Sequence, residues 1–251
     1  MYIDHEKCVG CGKCIPYCPV NAIAQAEDGK TSIDLDRCVE CGVCQKNAKC
    51  PRDAIYNVHL EAPRAYRKAF SDPFGKHENT ALKHMGRGTE EVKTIDVTGI
   101  LHDTDRVGFA VELGRPSISA SFADIEKVAM AVAPYAEEFE VNNPITALIV
   151  DKKTGKMEPS VLGERVLSAI VEFRCLNENI EAVLAALRKV AGEIDTVFSL
   201  GLISLVNKTD DSIYARKIID KLNIDVDKTS AKTNLGLGRP SYEERMRGAG
   251  Q

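Results

Sequence analysis

The stretch "CVECGVCQKNAKCP", Cys38 to Pro51, nearly repeats "CVGCGKCIPYCP", Cys8 to Pro19, but carries five residues before its last cysteine where the first copy carries three. The first copy reads Cys8-x2-Cys11-x2-Cys14-x3-Cys18-Pro19 and the second Cys38-x2-Cys41-x2-Cys44-x5-Cys50-Pro51. The repetition extends outward from the cysteines. "CPVNAI" at Cys18 to Ile23 answers "CPRDAI" at Cys50 to Ile55, and a short apolar-polar stretch precedes each triplet, "YID" from Tyr2 and "SIDLD" from Ser32. These are two copies of one strand, loop and short-helix unit, related by an approximate twofold.

Eight of the chain's nine cysteines lie in these two runs. A Cys-x-x-Cys turn converges its sulfurs on one point, which suits a metal or cluster and strains a disulfide. Three thiolates at two-residue gaps wrap one face of an iron-sulfur cube. A fourth cysteine a few residues on bends back to the same cube with difficulty, and in two-cluster proteins it ligates the other one. That rule assigns Cys8, Cys11, Cys14 and Cys50 to one cluster and Cys38, Cys41, Cys44 and Cys18 to the second. Zinc is the alternative for two four-cysteine sites. Zinc sites usually separate their cysteine pairs by a dozen residues or more, whereas here the third cysteine follows at once and proline follows the fourth. Gly10, Gly12 and Gly42 suit loops that need positive φ and close backbone approach to the sulfurs.

With these motifs the first quarter of the chain resembles the bacterial-type ferredoxins that carry two 4Fe-4S clusters. The resemblance implies low-potential electron transfer and no open iron position for a substrate. The departure from the family is the two-residue insertion within "QKNAK" before Cys50. A loop that only delivers a ligand tolerates added length, so the site is expected to persist while the insertion bulges beside the first cluster and alters its hydrogen bonding and exposure.

Composition bounds the rest. A chain of 251 residues exceeds one metal-stapled module and has room for one or two further cores. Its 33 Lys+Arg against 37 Asp+Glu give a net charge of -4, which offers no global signal for nucleic acid or an anionic membrane surface. No apolar run reaches transmembrane length, and "MYIDHEKC" enters the first motif without a signal peptide, so a soluble, cytoplasmic protein with no membrane insertion is expected.

From Glu61 to about Glu91 the sequence shows no sustained periodicity and reads as an irregular, solvated connector. Its basic residues Arg64, Arg67, Lys68, Lys76, Lys83 and Arg87 have a second reading, as groups facing the anionic clusters or a partner's acidic rim. His77 and His84 lack a supporting ligand pattern. Beyond the connector, "VGFAVEL" (Val107 to Leu113) predicts a strand, and Phe122, Ile125, Val128, Ala129 and Val132 predict a helix capped by Ser121 and stopped by Pro134. "EFEV" and "ITALIVD" predict strands, "DKKTGK" a turn, and Glu164 to Phe173 a long strand. A helix from Asn177 with Ile180, Val183, Leu184, Leu187 and Val190 inward, a strand from Ile194 to Val206 and a helix near Ser212 to Leu222 complete the series. The order predicts an α+β chain: a two-cluster module at residues 1–62, a connector at 63–91, and at 92–251 a split βαββαβ plait with helices on one face of an antiparallel sheet and a C-terminal helix added. Such a plait names no function.

"LGRPS" occurs twice, at Leu113 to Ser117 and Leu237 to Ser241, each with "KT" upstream. One reading pairs Arg115 and Arg239 as a fork-shaped site for a small anionic ligand, while the plainer one makes Gly-Arg-Pro a strand terminator. Thr94, Asp96 and Thr98 alternate like an edge strand, read either as lining the same site or as merely half exposed. Cys175, with no histidine near it in sequence, reads as a packed core residue. No phosphate loop, dinucleotide fingerprint or hydrolase motif is present, so no catalytic residue is assigned. The sequence thus points to an electron carrier serving a redox partner or an oxidoreductase complex, with the second domain as a docking or regulatory unit. The alternative is a redox-linked small-molecule-binding protein or reductase.

Overall fold

The computed structural model describes residues 1–73, 104–114, 118–141 and 143–224. Its N-terminal part is built from β1 (Tyr2–Ile3), β2 (Ile23–Gln25), β3 (Thr31–Ile33), α1 (Val43–Asn47) and β4 (Ile55–Tyr56). The strands pair across the repeat. β1, which enters the first cysteine loop, lies antiparallel to β4, which leaves the second, with Tyr2 opposite Tyr56. β2, which leaves the first, lies against β3, which enters the second, with Ile23 opposite Ile33. Neither copy closes a ladder by itself, and Val20, Ala22, Ile23, Val39, Ala48 and Ile55 from both copies form one small core around the cysteines.

α2 (Ala65–Ser71) follows, within the segment read from sequence as a solvated connector. Seven residues show too few turns for a helical period to register, and the helix buries an arginine, so neither periodicity nor hydropathy reveals it. Lys76, Lys83, Arg87, His77, His84, Thr94, Asp96 and Thr98 lie outside the described residues.

The C-terminal part contains β5 (Arg106–Leu113), β6 (Ala120–Ser121), α3 (Phe122–Val132), β7 (Glu138–Phe139), β8 (Ile149–Asp151), β9 (Lys156–Met157), β10 (Arg165–Val166), β11 (Ala169–Leu176), α4 (Ile180–Ala191), β12 (Phe198–Ser204) and α5 (Tyr214–Lys221). Four of these strands form an antiparallel sheet in the order β12-β5-β11-β7. Alternation along β5 and β11 puts Val107, Phe109, Val111 and Leu113 on the same face as Ala169, Val171, Phe173 and Cys175. Phe109 and Phe173 stack there with ring centroids 5.2 Å apart. Ile125, Val128, Ala129 and Val132 of α3 and Ile180, Val183, Leu187 and Val190 of α4 cover that face, as their spacing predicts. Ser121 caps α3, accepting a 3.1 Å hydrogen bond from the Asp124 backbone N–H. The chain is therefore α+β.

Three elements depart from expectation. The segment Glu164 to Phe173, expected as one strand, divides at Leu167–Ser168. β10 pairs with β6, and β11 joins the main sheet and runs on to Leu176. The "ITALIVD" segment begins as a 3-10 turn, Thr146–Leu148, before β8 forms a hairpin with β9 outside the main sheet. In both cases a continuous apolar run fits a strand, a turn or a break equally well, and tertiary packing decides. Cys175 lies within β11, not after it, and is fully buried.

Candidate iron-sulfur sites

Two cavities sit in the N-terminal part. Cys8, Cys11, Cys14 and Cys50 line the first, together with Val9, Lys13, Thr31 and Ala48, around ≈ 340 Å³ of space open to solvent. Cys18, Cys38, Cys41 and Cys44 line the second, with Tyr17, Val20, Val39 and Gly42, around ≈ 300 Å³. Each cavity thus takes a triplet from one repeat and the fourth cysteine of the other. Among the described residues no group of three His, Cys, Asp or Glu is gathered tightly enough to hold a single metal ion. Four thiols around a space of this size suit a multi-atom cluster.

The local sequence explains how the loops curve. Gly10, Gly12 and Gly42 adopt φ of 69°, 68° and 71°. A Cβ at Gly10 would stand 2.1 Å from the Gly29 carbonyl oxygen, so this position excludes every larger residue. Its counterpart in the second repeat is Glu40, also left-handed at φ 58°. A glutamate holds that conformation because its buried carboxylate is anchored from outside the loop. Arg64 donates to Glu40 Oε1 from Nε at 2.9 Å and from Nη2 at 2.6 Å, and the Met1 amine contacts Oε2. Burial opposes ionisation of Glu40, and these cationic partners outweigh it, holding its carboxyl below the ordinary value. The fourth cysteines are treated alike: Ala22 N–H donates to Cys18 Sγ at 3.1 Å and Ala54 N–H to Cys50 Sγ at 3.4 Å.

The cavities differ in exposure and electrostatics. Cys11 is exposed and Cys8 half-buried, whereas Cys38, Cys41 and Cys44 are 8%, 7% and 6% exposed. Burial pushes the thiols of Cys14, Cys38 and Cys41 up, and takes Cys44 to about 12, with neighbouring Cys41 and Cys38 adding to the effect. At Cys8 burial is outweighed by hydrogen bonds from the backbones of Thr31 and Gly10 and from the Thr31 side chain, and the thiol is lowered.

Arg67 seals the second loop. Its Nη1 donates to the carbonyls of Leu35, Asp36 and Cys38 at 2.9, 3.0 and 2.9 Å, and its Nε contacts Glu164 from the C-terminal part. Sequence reading singled out Arg64 and Arg67 only as members of a basic stretch and missed Glu40. The signal available for Glu40 was its place in the repeat, where the first copy has glycine. The lengthened loop starts within α1, whose Lys46 pairs with Asp72 at 3.4 Å, and Ala48 lines the first cavity. Cys175 is pushed up to about 12 by burial and the nearby Glu137 carboxylate, and packs in the sheet core. Arg115 and Arg239, the candidate anion pair, lie outside the described residues.

Residues 1–24 match the 4Fe-4S binding domain. The chain is 42% identical over 59 residues to pyruvate synthase subunit PorD of Methanocaldococcus jannaschii, covering 24% of this chain and 66% of that protein. It is 41% identical over 58 residues to Ferredoxin 7Fe of Hydrogenibacillus schlegelii, covering 22% and 70%. With a tetrathionate reductase subunit of Salmonella typhimurium it shares 46% identity over 46 residues, 18% of each chain. The chain belongs to the 4Fe-4S ferredoxins through its N-terminal quarter. Among the described residues no helix is long and apolar enough to cross a membrane.

Proposed function

We propose that this chain is an electron-transfer subunit holding two 4Fe-4S clusters, one on Cys8, Cys11, Cys14 and Cys50 and the other on Cys38, Cys41, Cys44 and Cys18. The observation that carries the reading is the crossed lining of the two cavities, each drawing its fourth thiol from the opposite repeat. When bound, each cluster supplies one-electron exchange at low potential. The residues around the cavities fix what surrounds that exchange. Backbone N–H groups of Ala22 and Ala54 donate toward sulfur, Glu40 and Arg64 hold the second loop in its left-handed turn, and Arg67 excludes water from its carbonyls.

The C-terminal part is read as a split βαββαβ plait that docks the cluster module onto an oxidoreductase. Supporting the plait is the strand order last, first, third, second, with α3 and α4 in the two crossovers. Supporting the partner are relatives whose names make them subunits of pyruvate synthase and tetrathionate reductase.

Iron and sulfide analysis with low-temperature EPR of the reduced, anaerobically prepared protein tests the cluster count, two interacting half-spins being expected. Cys50→Ser should then reproduce the EPR change of Cys11→Ser and not that of Cys41→Ser. The opposite pairing would show that each repeat ligates its own cluster. Affinity purification of the tagged protein under anaerobic conditions should bring down a flavoprotein or metalloenzyme in fixed ratio, and a protein that elutes alone would remove the docking role.

A further inference from the structure

The electron-transfer reading makes the two sites alike, but their surroundings do not. The second cavity's loop is held by α2, which also contacts the C-terminal part. Arg67 closes over the Leu35 to Cys38 carbonyls, Leu167 packs against the same small core, and among the described residues no charged side chain lines the space. The first cavity faces outward. Val9 is 62% exposed beside the exposed Cys11, and the one charged side chain lining it, among the described residues, is the exposed Lys13. The exposed Lys49, in the lengthened second loop, lies in the chain between the lining residues Ala48 and Cys50.

We propose that the Val9–Cys11–Lys13–Lys49 face is the port through which electrons enter and leave, and that it fits a redox protein presenting carboxylates around its own one-electron centre. This rests on the electron-transfer reading. Electron transfer weakens steeply with distance, so the exposed Cys11 offers a shorter path to a docked centre than the buried Cys38, Cys41 and Cys44. Lys13 and Lys49 give the port its sign: cations beside a small apolar contact attract an acidic surface and raise encounter rates at low salt. One electron crosses per encounter, and no bond to the protein forms or breaks.

The test compares oxidation of the dithionite-reduced holoprotein by anionic Co(EDTA)⁻ and cationic Co(NH₃)₆³⁺, each Co(III) taking one electron to become Co(II). The double reversal Lys13→Glu/Lys49→Glu should lower the anionic-to-cationic rate ratio by about tenfold at low ionic strength, with the effect fading in salt. Reversal of the exposed hairpin lysines, Lys152→Glu/Lys153→Glu, should leave the ratio unchanged. As a readout independent of electron flow, carbodiimide coupling of the oxidised holoprotein to a short polyglutamate peptide should concentrate adducts at Lys13 and Lys49 over Lys152 and Lys153. A ratio that ignores the port lysines, or follows the hairpin pair, overturns the port while leaving electron transfer standing. A preparation with no reducible cluster overturns both.

Discussion

Glu40 and Arg67 show how single residues hold the second loop where glycine and solvent serve the first. Glu40 occupies a left-handed position that costs a side-chain-bearing residue roughly 1 kcal/mol or more, and it is retained through its contacts with Arg64 and the Met1 amine. Arg64→Ala removes that anchor from a carboxylate only 2% exposed. The expected result is a loss of about 2 kcal/mol in unfolding free energy, since the buried carboxylate keeps only the Met1 amine of its two cationic partners, read as a lowered urea midpoint at unchanged slope. Adding Glu40→Gly to Arg64→Ala should restore much of the loss, because glycine needs no anchor at φ 58° and leaves no orphan carboxylate. A double variant no more stable than the single would show that the anchoring account is wrong. Sequence made the eight cysteines legible at this scale because spacing alone encodes their convergence. Glu40 stayed hidden because its partners Arg64 and Met1 are remote in sequence.

Among the elements, the β8–β9 hairpin shows backbone geometry overruling apolar pattern. Its turn passes so close to α3 that a Cβ on Gly155 would lie 2.4 Å from the Ala129 carbonyl oxygen, and Gly155 has φ 76°. Gly155→Ala is expected to cost about 2 kcal/mol, from left-handed strain and from displacing α3, measured as a lower thermal midpoint. The same turn is held by Asp151, whose carboxylate accepts from Thr154 Oγ1 at 2.7 Å and from Lys153 N at 3.0 Å. These bonds lower its carboxyl below the ordinary 3.8. A depressed carboxyl stabilises the hairpin fully above 3.8 and loses that contribution as pH falls through its lower folded value. Amide exchange at Lys153 should therefore accelerate below that window in the native protein and show no such acid step in Asp151→Asn. The "DKKTGK" turn was legible because Gly and Asp carry local geometry. The break between β10 and β11 was not, because Val166 to Val171 is equally apolar on either side and the choice of partner strand lies elsewhere in the fold.

At the scale of the molecule, α2, at the start of the segment expected to be a solvated connector, joins the two parts. Phe70 enters the C-terminal core edge-on to Phe122 at 5.5 Å, Ser71 Oγ accepts from Leu167 N–H at 2.8 Å, and Leu167 reaches back to the cysteine-lined core. Arg67 meanwhile binds three carbonyls of the second loop. α2 thus contacts both parts at once. The expected consequence is unequal protection: burial of Cys38, Cys41 and Cys44 should slow access of oxygen and water to the second site relative to the first, with its exposed Cys11, and Leu167 is the C-terminal contact with the cysteine-lined core. Leu167→Glu places a charge into that contact without touching any cysteine. In air, the holoprotein should bleach in two phases, a fast one from the first site and a slow one from the second, and Leu167→Glu should accelerate the slow phase severalfold and spare the fast one. Cys11→Ser should remove or alter the fast phase, which assigns the two. If Leu167→Glu changed neither phase while the protein stayed folded, the C-terminal part would not be shielding the second site, and its role would have to be sought on its other surfaces.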